Sequence, residues 1–366
     1  MKLGIIGSGK ISDIYIRNLM HRYKYVEVVC LTSLHPENAH RKAETYNLPA
    51  CSLEEMLSDP QVDATVVLTP VGSHESLIRQ SLEHGKHVYT EKTLTDQPET
   101  AAALVRLAKE RGLYLGSAPD TFLGCSLQKA REILDSGTLG EITGFTACAT
   151  RNNIHLLPIY TFLLEEGAGI ALDYGVYYLT ALISLLGPVA GCACLTRNPR
   201  PDFLCDMPAS PLNGQHIHNP NESILTAILQ TRSGITGTLN LNADCVDEDI
   251  ADFKILGTRG VLELNDPNAF GGDLRLIRSG REVERIPVTS PLGQNERGLG
   301  ISEMALSAQE GRPCRASGEL ACHTLDVLHA LLLSSDQSSF VTVPSTCEQP
   351  QRLTDQEAFS LLRNPG

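Results

Sequence analysis

At 366 residues the chain exceeds the length at which one hydrophobic core keeps growing, so two domains are expected. Its 42% hydrophobic and 20% charged residues are ordinary for a soluble globular protein and argue against disorder or a fibrous repeat. With 43 acidic against 30 basic residues, the formal net charge of −13 repels phosphate backbones and anionic membranes, which argues against nucleic acid as a partner.

No apolar stretch reaches the roughly 20 residues that span a bilayer. Met1 to Ile6 run straight into a short apolar strand with no signal-peptide core, so a cytoplasmic protein with no membrane partner is expected. The 11 cysteines, scattered from Cys30 to Cys347, read as reduced thiols packed like small hydrophobes. Neither Cys192-x-Cys194 nor His216-x-His218 has the spacing and second ligand pair of a zinc site, so no metal is expected.

Taken in chain order, residues 1–119 alternate short β-branched runs with helical stretches, the pattern of βαβ units around a doubly wound parallel sheet. The expected strands are Lys2–Ile6, Val26–Thr32, Ala64–Thr69, His87–Thr90 and Leu113–Gly116. Between them, 11–21, 36–46, 73–84 and 99–111 show helical spacing, with Gly85 and Gly112 closing two of these helices. An amphipathic helix over 122–136 leads into a second domain, 120–366. There the strand-like runs 141–150, 223–231, 235–242, 253–256, 260–264, 274–278 and 283–288 predict an open, mainly antiparallel sheet. Helices over 174–186, 302–310 and 319–333 should cover one face of it, an α+β arrangement. The other face needs burial as well, and pairing with further copies into a homodimer or homotetramer is the expected solution. Segments 198–221 and 266–273 read as surface loops, and the tail from Ser345 as polar with one short helix.

Gly7-Ser8-Gly9-Lys10-Ile11-Ser12 ends a strand and opens a helix, the context in which a glycine turn becomes a Rossmann dinucleotide site. Gly7 permits the turn, Gly9 lets backbone approach a pyrophosphate, and the helix-start amides hold its charge. The second strand ends at Ser33 without the acid that commonly binds the ribose of NAD, so NAD and NADP are both admitted. Thr69-Pro70-Val71-Gly72-Ser73-His74 and Thr90-Glu91-Lys92-Thr93 follow the next two core strands, where open α/β sheets bind ligands. A lysine at that edge suits proton transfer or orientation of a substrate hydroxyl, and Lys92 is the candidate.

These motifs resemble the Gfo/Idh/MocA family, named for glucose-fructose oxidoreductase and inositol 2-dehydrogenase among others, over nearly the whole chain. Gly7–Ser12 corresponds to the family's glycine turn, Thr69, Pro70 and His74 to its T-P-x-x-x-H segment, and Glu91-Lys92-Thr93 to its E-K-P signature with Thr in place of Pro. Gly167 to Tyr177 is similar to its second-domain stretch D-x-G-x-H, with Asp173 in place and Tyr177 where many members carry histidine. The resemblance implies a cofactor site at Gly7, Ser8, Gly9, Lys10, Ile11, Ser33, Thr69, Pro70, His74, Glu91 and Lys92. It implies catalysis by Lys92, Asp173 and Tyr177, the last two four apart and hence on one face of a helix, with these three meeting the substrate. His155, on the loop after the strand ending at Thr150, is a further candidate for substrate contact by its position alone. The expected activity is hydride transfer between NAD or NADP and a secondary alcohol or ketone of a sugar, sugar derivative or cyclitol. A redox-neutral cycle of sugar oxidation, elimination or glycoside cleavage, and re-reduction is the variant. A non-catalytic nucleotide-binding sensor is the rival from another class.

Overall fold

In a computed structural model that describes residues 1–363, strands β1 (Lys2–Ile6), β2 (Glu27–Thr32), β3 (Ala64–Val67), β4 (His87–Thr90) and β5 (Leu115–Ser117) form one parallel sheet in the order β2-β1-β3-β4-β5. Helices α1 (Lys10–His21), α2 (Pro36–Tyr46), α3 (Leu53–Ser58), α4 (His74–Glu83) and α5 (Pro98–Glu110) connect them. β3 is buried throughout, as a strand covered on both faces must be, which is why it reads as a continuous apolar run. Outside β2 the chain returns for a single parallel bridge, Leu31 to Ala50. Counting that bridge as a vestigial strand gives the doubly wound order in which strand direction of winding reverses beside β1.

Onward from there, α6 (Cys125–Asp135) leads to a sheet of nine strands: β6 (Ile142–Thr150), β7 (Val189–Arg197), β10 (Ile224–Thr231), β11 (Thr236–Asn242), β12 (Ala251–Gly257), β13 (Gly260–Leu264), β14 (Leu274–Arg278), β15 (Val283–Ile286) and β16 (Val341–Thr342). The order is β15-β14-β13-β12-β6-β11-β10-β7-β16, antiparallel except between β6 and β11. A separate two-stranded ladder, β8 (Asp202–Leu204) with β9 (His216–His218), lies in the stretch read from sequence as a surface loop. That expectation is corrected further by Cys205, Ser210, Asn219 and Asn221, all buried. Helices α7 (Asn153–Leu156), α8 (Val176–Leu186), α9 (Leu299–Glu310), α10 (Gly318–Gln337) and α11 (Asp355–Leu361) complete the described chain, the last being the short helix expected in the tail. On β10, Leu225, Ala227 and Leu229 are buried while Thr226, Ile228 and Gln230 are exposed, so one face of the large sheet is core and the other open. Tyr178 of α8 packs on Phe253 of β12 with ring centroids 5.7 Å apart, which puts α8 on the core face. Among the described residues no helix is long and apolar enough to cross a membrane.

The chain divides into two compact units: Met1–Gln128 with Thr289–Cys322 and the segment from Pro350, and Lys129–Val288 with His323–Gln349. Three stretches expected in the second domain, 120–128, 289–322 and the segment from Pro350, therefore pack with the parallel sheet, and for the last two buried charge explains why. Glu296, fully buried, takes the Arg22 guanidinium from the end of α1 at 2.5 and 2.6 Å, while the Asn18 amide donates to the carbonyls of Asn295 and Arg297 at 2.9 Å. Glu303, also fully buried, accepts from Arg312 and Arg315 at 2.7 Å each, and Arg315 reaches on to Glu357 of α11 at 2.7 Å. A carboxylate out of water needs such partners, so the segments that carry them are drawn in together.

Asp120, just past β5, is buried with its carboxylate accepting the amides of Gly298 and Gly300 at 3.0 Å each, at the start of α9. Burial outweighs those bonds and pushes its pKa from 3.8 to about 6. The unfolded chain therefore releases this proton at lower pH than the folded one, and stability falls as pH rises through roughly 4 to 6. Asp120→Asn should remove that slope: thermal melts of the two proteins from pH 4 to 7 should show the stability difference drifting in the variant's favour by at most about 3 kcal/mol.

Candidate functional site

The glycine turn sits where β1 meets α1. Gly7 has φ of +116°, and a β-carbon there would lie 2.7 Å from the Leu68 carbonyl oxygen at the end of β3, so only glycine fits. Gly9 differs: its φ is −65° and a β-carbon would meet nothing within 4 Å. Its bare surface faces open space at the start of a 12-residue helix, whose first amides lack intrahelical partners, and this is what a pyrophosphate requires. Ser12, buried, turns its hydroxyl back onto the Gly9 carbonyl at 2.7 Å and so fills the small-residue position while closing the turn. Lys10 is exposed beside Gly9, and Ile11 is half-buried.

Ser8 and Ser33 are brought together, the Ser8 hydroxyl donating to the Ser33 hydroxyl oxygen at 2.9 Å. Beyond Ser33, His35 and Arg41 are exposed, and so is Leu34. Thr69 follows β3 close to Gly7 and accepts the Ser73 hydroxyl at 2.7 Å, with Pro70 exposed next to it. Glu91 follows β4, receives the Tyr15 hydroxyl of α1 at 2.6 Å and accepts the Lys92 amide at 3.1 Å. The Lys92–Thr93 peptide is cis. His74 is placed differently from expectation. It is fully buried, its ring bridging the carbonyls of Thr69 at 2.9 Å and Thr93 at 2.8 Å, so its side chain stands behind the site and ties the two strand-end loops together. Burial lowers its pKa, as suits a neutral structural histidine.

In the second unit, Gly167 to Gly169 lead into a π-helical turn, Ala171–Gly175, that precedes α8. The regular helix expected from Tyr174 thus starts at Val176, after the wide turn, and Asp173 is carried by that turn, its amide bonded to the Gly169 carbonyl at 2.9 Å. A strap before β10 holds the turn. Asn221 accepts the Gly167 amide at 2.8 Å and donates to the carbonyls of Leu163 and Glu165 at 3.1 and 2.8 Å. Glu222 accepts the Ala171 amide at 3.0 Å, and its carboxylate lies where a β-carbon on Gly169 would be, 2.0 Å away, which explains that glycine. Burial raises the Glu222 pKa, the Ala171 amide offsetting this in part.

Asp173, Glu222, Arg151, Asn153 and Tyr174 line a shallow cleft open to solvent. Arg151 and Asn153 immediately follow β6, and the sequence reading missed them; His155 was chosen from that loop instead. The short helix α7 sends Asn153 and Leu156 to the cleft and turns His155 away, exposed and 3.3 Å from Glu248, so His155 is not placed to meet a substrate there. The Arg151 guanidinium carbon lies 3.9 Å from the centroid of the Tyr174 ring, and the Tyr174 hydroxyl donates to Asp266 at 2.7 Å. Burial, and then the Asp266 charge, raise the Tyr174 pKa far above the ordinary phenol value. Tyr177, half-buried, has its ring 6.1 Å from that of Tyr174.

Comparison with known proteins follows the same division. Residues 1–118 match the family described as "Oxidoreductase family, NAD-binding Rossmann fold", and residues 127–263 match "GFO/IDH/MocA C-terminal domain". The chain is 32% identical over 193 residues to dTDP-3,4-didehydro-2,6-dideoxy-alpha-D-glucose 3-reductase of Saccharopolyspora spinosa, a match covering 52% of this chain and 57% of that protein. It therefore spans little more than half the length of that relative. With trans-1,2-dihydrobenzene-1,2-diol dehydrogenase of Bos taurus the identity is 23% over 338 residues, 91% of this chain and 94% of the relative. Levoglucosan dehydrogenase, solved in complex with NADH and L-sorbose, has the same fold, with a TM-score of 0.80 at 16% identity over 94% of this chain and 99% of that one.

The two glycines make separable predictions. Gly9→Val should fold normally, since its side chain enters open space, yet lose measurable NADH binding in a fluorescence titration because it would fill the space expected for the pyrophosphate. Gly7→Ala should instead cost about 1–3 kcal/mol of stability, seen as a lowered melting temperature. Wild-type NADH affinity in Gly9→Val would remove the turn as the cofactor site.

Proposed function

Because the chain belongs to the Gfo/Idh/MocA family of oxidoreductases with an NAD-binding Rossmann domain, we propose that it is an NAD(P)-dependent dehydrogenase or reductase of a secondary alcohol or ketone in a sugar, sugar derivative or cyclitol. The observation that carries this reading is the open, side-chain-free surface of Gly9 at the start of α1, ringed by the ends of β1 to β4. Those residues fit a dinucleotide. Gly7, Ser8, Gly9, Lys10 and Ile11 would hold the pyrophosphate, Ser33 the adenosine ribose, and Thr69, Pro70, Glu91 and Lys92 the nicotinamide side. Nicotinamide supplies or accepts the hydride; this chain's own residues orient the reacting oxygen and move its proton.

We assign orientation of that oxygen to Lys92 and Asp173 and the proton to Tyr177. The neighbouring Tyr174 is a poor candidate: its hydroxyl is already given to Asp266 and its pKa is raised by burial. The deoxysugar named for the bacterial relative and the cyclic diol named for the bovine one support a cyclic polyol or its ketone as substrate. The 11 free thiols suit a reducing cytoplasm. On the open face of the large sheet, Leu195 and Ile228 are 66% and 55% exposed, which supports pairing of copies into a homodimer or homotetramer through that face.

The absence of an acid at Ser33 predicts weak discrimination between NAD and NADP. Ser33→Asp should shift the ratio of catalytic efficiencies toward NAD, because the new carboxylate, within reach of the Ser8 hydroxyl, repels a 2′-phosphate; a wild type already strict for NAD would contradict the reading of this strand end. Turnover tests the proton assignment. Tyr177→Phe should lower kcat by roughly 10²- to 10⁴-fold with NADH affinity nearly unchanged, and Lys92→Ala should be at least as damaging. Near-normal turnover by Tyr177→Phe would send the proton to another group.

A further inference from the structure

We propose that Arg151 is the specificity-determining residue of the second unit's cleft and that it selects a neutral pair of adjacent oxygens, a vicinal diol or hydroxyketone, over a sugar acid. The inference rests on the hydride-transfer reading above and deepens it.

Arg151 is held, yet it is not used. Its guanidinium carbon lies 3.9 Å from the centroid of the Tyr174 ring, and that ring is fixed by the Tyr174 hydroxyl bond to Asp266 at 2.7 Å. Its approach to Asp266, 3.9 Å from nitrogen to oxygen, is too long for a hydrogen bond. No guanidinium hydrogen bond is made among the described residues, although the side chain is 31% exposed and lines the cleft beside Asp173. A planar fork of N–H donors held over an aromatic ring at the wall of a cleft can receive two oxygens at a fixed separation.

Charge decides which oxygens. A carboxylate would satisfy the fork geometrically, but Arg151 already faces Asp266, and Asp173 and Glu222 line the same cleft. One cation stands among three carboxyl groups, so a further anion would enter against the local charge. Neutral hydroxyl or carbonyl oxygens accept from the fork without that cost, and their own O–H groups find acceptors in Asp173 and Glu222.

The test uses the full-length enzyme, wild type, Arg151→Gln and Arg151→Lys, at saturating cofactor, with a panel of neutral hexoses, pentoses and cyclitols and the matching uronic acids. Melting temperature and NADH fluorescence titration run alongside to report folding and cofactor binding. For the neutral polyol that wild type turns over best, Arg151→Gln should raise KM by roughly 10- to 100-fold, far more than it lowers kcat, with NADH affinity retained; Arg151→Lys should recover only part of this, lacking the fork. The matching uronic acid should be the poorer wild-type substrate. An unchanged KM in Arg151→Gln overturns the role of Arg151, and a wild-type preference for uronic acids that Arg151→Gln abolishes overturns the selection of neutral oxygens. A wild type that binds NADH but turns over none of the panel removes the hydride-transfer reading itself, a result visible without the variants.

Discussion

Parallel strands share one direction, and the cofactor end of this protein depends on that. Every strand of the small sheet delivers its carboxyl end to the same edge, so residues far apart in sequence, Gly7, Ser33, Thr69 and Glu91, meet there because their strands end there. The close pass of Gly7 against the Leu68 carbonyl is where the constraint is tightest, since any side chain would force β1 and β3 apart. Ties behind the edge hold it in shape. Tyr15 anchors Glu91 from α1, and His74 joins the loop after β3 to the loop after β4, so the backbone around Lys92 is braced on two sides by groups that need not touch a ligand.

Charge buried without water does comparable work further from the edge. Glu296 and Glu303 are both fully buried, and removing one partner from such a pair typically costs about 3–5 kcal/mol because the other charge is left stranded. A pair of this kind specifies a partner more than it adds net stability, and here the partners are Arg22, Arg312 and Arg315. The glutamates thus fix where the chain returns to the parallel sheet after leaving it, and Arg315 extends the arrangement to α11 through Glu357.

Much of this was legible where periodicity or turn chemistry is strong. The alternation of β-branched runs with helices led directly to the parallel sheet, and the context of Gly7–Ser12 to the carboxyl edge where the cofactor is proposed to bind. β7 was missed because Gly191, Cys192, Ala193 and Cys194 are small and not β-branched, although it runs between β10 and β16. α3 was missed despite its capping box, with Ser52 and Glu55 bonding each other's backbone amides, because six residues are too few to show a period. The return of 289–322 to the first unit could not be read, since buried ion pairs leave no local pattern. In the loop after β6 the sequence drew attention to His155 because histidine stands out as chemistry, whereas which side chains line the cleft, Arg151, Asn153 and Leu156 among them, is set by backbone geometry and not by residue type.

The π-helical turn explains why three tyrosines so close in sequence have different surroundings. A widened turn changes the rotation at which side chains leave the axis before α8 resumes regular geometry. Tyr174, inside the turn, reaches the cleft wall, where it serves as a platform for Arg151 with its hydroxyl committed to Asp266. Tyr178, inside α8, is buried against Phe253 on the sheet. Tyr177 lies between these two directions and stays half-buried, so it keeps the access to solvent that the others have lost. The same turn carries Asp173 and is clamped from outside by Asn221 and Glu222, with Gly169 kept bare for the Glu222 carboxylate. The residues proposed for chemistry and for recognition in this unit therefore share one backbone irregularity: relaxing it to a regular helix would move Asp173, Tyr174 under Arg151 and Tyr177 together.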